Sequence, residues 1–486
     1  MKYEMVVIGS GPSGRRAAIQ AAKLGRSVLV VENRLRVGGV SVHTGTIPSK
    51  TMRETVLNLS GWRERGFYGL AYRVKKDIEG KDLGARLRMT LDHEIDVLEH
   101  QFARNGVDTV AGSARFLDAH RIEVTTPDGE KPVYEAERVV IAVGTQPYRP
   151  ANIPFDDHRV VDSDSLVAET KVPRSLAVIG AGVIGLEYAT IYSALDVPVT
   201  IIEPRTNFLE FIDREIIEEF VHDLRKRGVN FRLGCKLERV EFDPQGWPVA
   251  VLDDERRIRS DMLLYAAGRV GATATLGLEN CGLEVDSRGR LGVDPVTFQT
   301  SVPHIYAAGD VIGFPSLAST SMEQGRIAAC HAFGAPLMPA PQFFPYGIYA
   351  VPEISTVGMT EEEVREKGIH YECGIARFRE TSRGHIMGLQ SGMMKMIFGL
   401  DDKKLLGVHI VGEGATELIH IGQAVINLGG GLDYFVQNTF NYPTLAEAYK
   451  IAALDAWNRM PDIQIEPEAA QEIACSCGTS AQVLAS

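Results

Sequence analysis

The feature that most limits how this chain can fold is a device used twice. "EMVVIGSGPSG" (residues 4–14) and "LAVIGAGVIG" (176–185) are each a β-branched apolar run ending in G-x-G-x-x-G. A segment of helical character follows each one: "RRAAIQAAKLG", with Gly25 as its C-terminal cap, and "LEYATIYSALD". The three glycines of such a turn allow a tight bend, close backbone approach to a pyrophosphate, and close helix–strand packing. Gly9, Gly11 and Gly14 are placed for these roles in the first copy, and Gly180, Gly182 and Gly185 in the second. Each copy also has an acid at the end of its next strand, Glu32 in "SVLVVEN" and Glu203 in "VTIIEP", 23 residues after its first glycine. A carboxylate there accepts hydrogen bonds from ribose hydroxyls. A single G-x-G-x-x-G says little, but strand, helix and acid in register twice predict an α/β chain with two Rossmann-like dinucleotide-binding domains.

Other classes are disfavoured. A chain of 486 residues has room for about three domains. Its net charge of −12 and lack of a basic stripe with interleaved aromatics argue against nucleic acid as a partner. No apolar run approaches the roughly 18 residues of a membrane span. A strand starts almost at once in "MVVIGSG", without signal-peptide anatomy, so the cytoplasm is the expected compartment. Cys235, Cys281, Cys330 and Cys373 are scattered and read as small buried residues. Cys475 and Cys477 read as two free thiols in a flexible tail, and no metal-ligand set is apparent.

Two further strand-to-turn exits, "VVIAVGTQP" (139–147) and "HIYAAGD" (304–310), complete the pattern. The whole resembles the flavoprotein reductases with two dinucleotide domains, the family of glutathione reductase and dihydrolipoyl dehydrogenase. The resemblance implies that the first motif, Glu32, Gly39, Gly144 and Asp310 hold FAD. It implies that the second motif, with Glu203, Arg205 and Gly268, holds NAD(P).

In that family a loop reads G-G-T-C-L-N-V-G-C-I-P-S-K and carries a redox-active disulfide. Here residues 38–50 read "GGVSVHTGTIPSK", so Ser41 and Thr46 occupy the two cysteine positions while the frame around them is kept. A hydroxyl cannot form a disulfide or take electrons as sulfur does. The family's C-terminal H-P-T-x-x-E is altered as well: "NYPTLAEAY" puts Tyr442 in the histidine's place and keeps Glu447. With an ordinary pKa near 10, tyrosine is a poor general base at neutral pH. By the same resemblance, Lys50 is the lysine beside the flavin N5 and Glu187 the glutamate that pairs with it.

With no sulfur to receive them, electrons on the flavin can leave to a second nicotinamide, to oxygen, or to an acceptor such as a quinone. Residues 1–460 are similar to the soluble pyridine nucleotide transhydrogenases of bacteria, notably in "DVIGFPSLAS", "YGIYAVPEIS", "IHIGQAVI" and "TFNYPTLAEAYKIAAL". That resemblance implies hydride exchange between NADP(H) and NAD(H) through FAD, by a ping-pong route, in a homodimer. The alternatives are an NAD(P)H oxidase or quinone-type diaphorase and, third, a non-catalytic flavin-loaded nucleotide sensor. Glu203 suits NAD, whereas Arg205 is the one basic residue in its loop available for a 2′-phosphate.

The expected organisation is an FAD domain at 1–150 and 270–345, an NAD(P) domain at 151–269, an α+β dimerisation domain at 346–460 and a tail at 461–486. In the third domain, Thr360 and Glu363 form a capping box in "VGMTEEEVREKG". "KMIFGLDDKKLLGVHIVG" reads as a hairpin turning at residues 401–404, and "ATELIHIGQAVINLGGG" as a helix ended by glycines. His409 and His420 read as core histidines.

Overall fold

A computed structural model describes residues 1–169, 171–337 and 342–460. The expected flexible tail, with Cys475 and Cys477, lies outside the described residues.

The strand Lys2–Ile8 runs parallel between Val28–Glu32 and Val133–Ile141. Asp108–Ala111 extends the sheet on one side and Ile305–Ala307 on the other. The start of Val133–Ile141 pairs instead with Arg121–Thr125, which pairs antiparallel with Ser113–Phe116. Helices cover one face of the parallel part, and the strands Ser113–Phe116 and Arg121–Thr125 with the segment 276–291 cover the other, so Met5, Val6, Val7 and Val28–Val31 are all buried; this is why the sequence shows continuous apolar runs rather than alternation. The helix Pro12–Lys23 ends at Leu24, with Gly25 one residue beyond the cap at φ +77°, the left-handed conformation that suits glycine.

A second unit repeats this plan with five parallel strands. Leu176–Ile179 lies between Val199–Glu203 and Met262–Tyr265, and Asn230–Leu233 and Val160–Val161 form the edges. The chain enters and leaves this unit through an antiparallel pair, Thr145–Pro147 with Arg269–Gly271. A third unit is a five-stranded antiparallel sheet ordered Tyr346–Ile348, Ile354–Gly358, Leu405–Val411, Met393–Gly399, Tyr371–Arg377. The helices Ala415–Asn427 and Glu447–Trp457 pack on it. The hairpin turns between Gly399 and Leu405, and the Thr360–Glu363 capping box forms.

Two expectations are corrected. His409 is fully buried, bonded to Thr356 Oγ1 and at 2.9 Å to Met359 O, but His420 is exposed and contacts Gln423. His420 follows the buried Ile419, and one helical step carries a side chain about 100° round, off the apolar face. Cys235, Cys281 and Cys330 are buried, whereas Cys373 is only partly so because it lies on the edge strand Tyr371–Arg377.

Candidate functional site

Both glycine turns have the same geometry. A Cβ on Gly14 would sit 1.9 Å from Gly9 O, and one on Gly185 2.1 Å from Gly180 O, so only glycine lets helix and strand approach this closely. Gly9 and Gly180 have φ of +104° and +103°. By contrast, nothing lies within 4 Å of where a Cβ on Gly11 or Gly182 would be. These two residues are the N-caps of the helices Pro12–Lys23 and Val183–Ala194, and no side chain caps either helix. Their first N–H groups and the open space beside them fit the pyrophosphate of a dinucleotide at each turn. Gly39 packs against the first turn, where its Cβ would be 2.8 Å from Gly11 Cα. Gly144 (φ +66°) and Gly268 (φ +132°) both adopt conformations favourable to glycine and have open space beside them.

The two acids are held alike. Glu32 is buried; its Oε2 accepts from Ser10 N at 3.1 Å and from Ser10 Oγ, and its Oε1 from Arg34 N at 3.1 Å. Glu203 Oε2 accepts from Ala181 N at 2.8 Å, and Oε1 from Arg205 N at 3.2 Å and Arg205 Nε at 2.7 Å. Burial pushes the Glu203 carboxyl up, but these donors outweigh it and leave the group below its ordinary range. Arg205 is thus engaged by Glu203 through Nε, on a side chain that is 55% exposed.

The structure brings Lys50 and Glu187 together. Lys50, on the helix Thr46–Leu59, places Nζ 2.7 Å from both Glu187 oxygens. Glu187 is buried on the helix Val183–Ala194, and its Oε1 also accepts from Tyr349 N at 2.9 Å. The Lys50 ammonium lies 4.7 Å from the centre of the Tyr349 ring. One residue from each of the three units therefore meets at this pair. Arg53, three residues after Lys50, reinforces the junction by donating from Nε to Ala350 O at 2.9 Å.

Ser41 lies on the short helix Gly39–His43, and Thr46 is exposed at the start of the next helix. Between them, Thr44 Oγ1 donates to Asp164 at 3.0 Å, and Arg269 reaches Asp164 at 3.4 Å and Thr145 Oγ1 at 2.8 Å. Asp310 follows Gly309 (φ +86°); burial pushes its carboxyl up, opposed by Arg269 and by Thr145. Tyr442 stands apart, 72% exposed, with its hydroxyl 2.6 Å from Ser382 Oγ. Glu447 Oε2 is a buried atom without a hydrogen-bond partner.

The family model for pyridine nucleotide-disulphide oxidoreductases matches residues 3–325, and the model for that family's dimerisation domain matches 344–453. The chain belongs to the pyridine nucleotide-disulphide oxidoreductase family. A soluble pyridine nucleotide transhydrogenase of Mycobacterium tuberculosis is 50% identical over 460 residues, 94% of this chain and 98% of that one. One from Marinomonas is 43% identical over 468 residues, with 94% and 99% covered. Among solved structures, LpdA of Mycobacterium tuberculosis superposes with a TM-score of 0.84 at 26% identity, over 93% of this chain and 99% of that one. The HOCl-induced flavoprotein disulfide reductase RclA of Escherichia coli gives 0.83 at 26% identity, with 93% and 99% covered.

As a pyridine nucleotide-disulphide oxidoreductase the protein is an FAD-dependent oxidoreductase that uses nicotinamide nucleotides. Sequence reasoning missed Tyr349 and the Thr44–Asp164–Arg269 chain. Tyr349 contributes a backbone N–H, which leaves no mark in a sequence. Arg269 directly follows Gly268 in "AAGRV", and that adjacency was the available signal.

Proposed function

We infer that this protein catalyses NADPH + NAD⁺ ⇌ NADP⁺ + NADH through FAD, as a homodimer. The observation that carries this reading is a complete Lys50–Glu187 pair beside a loop whose two sulfur positions are Ser41 and Thr46. The relatives named soluble pyridine nucleotide transhydrogenase, at 40 to 50% identity, support it.

The FAD domain comprises residues 1–150 and 270–345 in this reading, the NAD(P) domain 151–269 and the dimer-forming domain 346–460. FAD, held by the first glycine turn and Glu32, would supply the redox chemistry that carries hydride between two nicotinamides. Gly11 and the first turn of its helix bind one pyrophosphate, Gly182 and its helix the other, while Glu32 and Glu203 take ribose hydroxyls. Glu187 holds the Lys50 ammonium in place, a fixed positive charge that favours added electron density nearby. Ser41 and Thr46 offer electrons no exit into the protein. One nicotinamide site must then serve both substrates in turn, which makes the kinetics ping-pong. Glu203, already committed to Arg205, favours NAD over NADP, and Arg205 keeps its terminal nitrogens for a 2′-phosphate. The proposed workplace is the cytoplasm, where both nicotinamide pairs occur.

The test is anaerobic: flavin-loaded protein, NADPH and an oxidised thio-analogue of NAD, with analogue reduction followed spectrally. Multiple turnovers, lost in Lys50→Ala, are expected. A flavin that bleaches while the analogue stays oxidised would replace this reading with an oxidase or quinone-type diaphorase.

A further inference from the structure

Arg227 follows the helix Arg214–Lys226 in the second unit, and its side chain is only 12% exposed. One terminal nitrogen donates to Val351 O. The other donates to Thr190 O at 3.3 Å and Ser193 Oγ at 3.2 Å. Its guanidinium lies 4.3 Å from the centre of the Trp62 ring, which belongs to the first unit.

These acceptors sit on the two segments that define the Lys50–Glu187 junction. Thr190 is one helical turn beyond Glu187, and Val351 is two residues beyond Tyr349. Further bonds join the same segments: Val351 N donates to Thr190 Oγ1 at 3.0 Å, and Tyr349 N to Glu187 Oε1 at 2.9 Å. Arg227 closes the far end of this ladder by holding both segments with one fork.

Arg227 is an expensive way to fill this space. Its Nε is buried without a hydrogen-bond partner, and its nearest carboxylate, Asp223, is 3.7 Å away. Burial pushes the guanidinium down to about 10, so it still carries its charge at neutral pH. An apolar side chain of similar volume would avoid the desolvation and the orphaned donor. What it would lose is the fork that ties two backbone carbonyls from different units.

We propose that Arg227 is a positioning residue for hydride transfer: it fixes the segment 349–351 against the Glu187 helix and so sets where Glu187 holds the Lys50 ammonium. The proposal rests on the reading of Lys50 and Glu187 as the reacting-site pair. It differs from simple interface glue, and the same helix supplies the control. At its other end, Asp213 is bound by the buried Lys395 of the third unit and by Glu361 N, both at 3.1 Å, rather than by a group of residues 349–351.

The experiment compares Arg227→Met, Arg227→Lys, Glu187→Gln, the Arg227→Met/Glu187→Gln double variant and Lys395→Met, all as flavin-loaded dimers. It reads anaerobic flavin bleaching by NADH, the midpoint potential of the bound flavin, and urea unfolding of each flavin-loaded dimer. Arg227→Met is expected to slow bleaching about tenfold or more, as small misplacements at a reacting site do. It should also move the potential in the direction that Glu187→Gln moves it. The double variant should be no slower than Glu187→Gln alone, and Arg227→Lys should recover part of the loss. Lys395→Met should lower stability while leaving rate and potential unchanged. If Arg227→Met and Glu187→Gln slow bleaching independently, or Lys395→Met reproduces the Arg227→Met changes, the positioning role is overturned. If Glu187→Gln itself changes neither rate nor potential, the reading of the pair falls, and this proposal with it.

Discussion

Gly11 and Gly14 lack a side chain for different reasons, and substitution separates them. Gly14→Ala drives a Cβ to 1.9 Å from Gly9 O. It should destabilise even the flavin-free protein by about 1–3 kcal/mol, as overpacking does. Gly11 has open space and an ordinary φ of −63°. Gly11→Ala should therefore leave apoprotein melting unchanged yet strip the purified protein of flavin, because the methyl enters the pyrophosphate's place. Melting curves and flavin-to-protein ratios check both, and a Gly11→Ala protein isolated with full flavin would contradict the assignment. The sequence announces such glycines because their spacing is the signal. It announces Lys50 and Glu187 only through flanking motifs, since neither residue type is unusual where it stands. Tyr349 and Arg227 are silent: one offers a main-chain N–H that any non-proline residue has, and the other bonds backbone carbonyls, which no residue type marks.

Hairpins, helices and the capping box were legible because each is encoded within a few residues. The clamp on the helix Arg214–Lys226 was not, since it joins groups far apart in the chain. Asp213 accepts from Glu215 N and from Glu361 N, both at 3.1 Å, and so starts two helices in two units. Lys395, 2% exposed, lies between Asp213 and Glu361. Burial pushes the Lys395 ammonium down, but Glu361 and Asp213 outweigh it and the net shift is upward. Lys395→Met strands the buried Asp213 carboxylate and should cost about 3–5 kcal/mol in urea unfolding at neutral pH. Burial alone would raise the Glu361 carboxyl, but Lys395 and Tyr371 bring it below its ordinary value. The unfolded chain then takes up the proton first as pH falls, so this contribution is complete above the ordinary glutamate range. It is lost as pH drops through the depressed folded value. Glu361→Gln should accordingly lower stability at pH 7 and flatten its fall in acid, as seen in unfolding curves across that range.

At the scale of the molecule, the exposed Tyr442 lies in the region matched by the dimerisation model, and its hydroxyl meets Ser382. If it completes the neighbouring subunit's site, Lys50→Ala and Tyr442→Ala chains, each inactive alone, should complement one another. A hybrid dimer then has one intact site, and random exchange should restore about a quarter of wild-type turnover. No recovery after verified exchange would place both residues' roles in one subunit.

The junction also has a consequence for how such an enzyme can change. Lys50, Glu187 and the Tyr349 N–H come from three parts of the chain that share one buried cluster, so recombination between these parts would deliver a whole coenzyme pocket together with a Glu187 fitted to another protein's neighbours. Point changes in the loop at 203–206 leave that fit alone. Lineages and engineers seeking a new coenzyme preference therefore have an open road through a few codons of one loop, and a closed one through the exchange of modules.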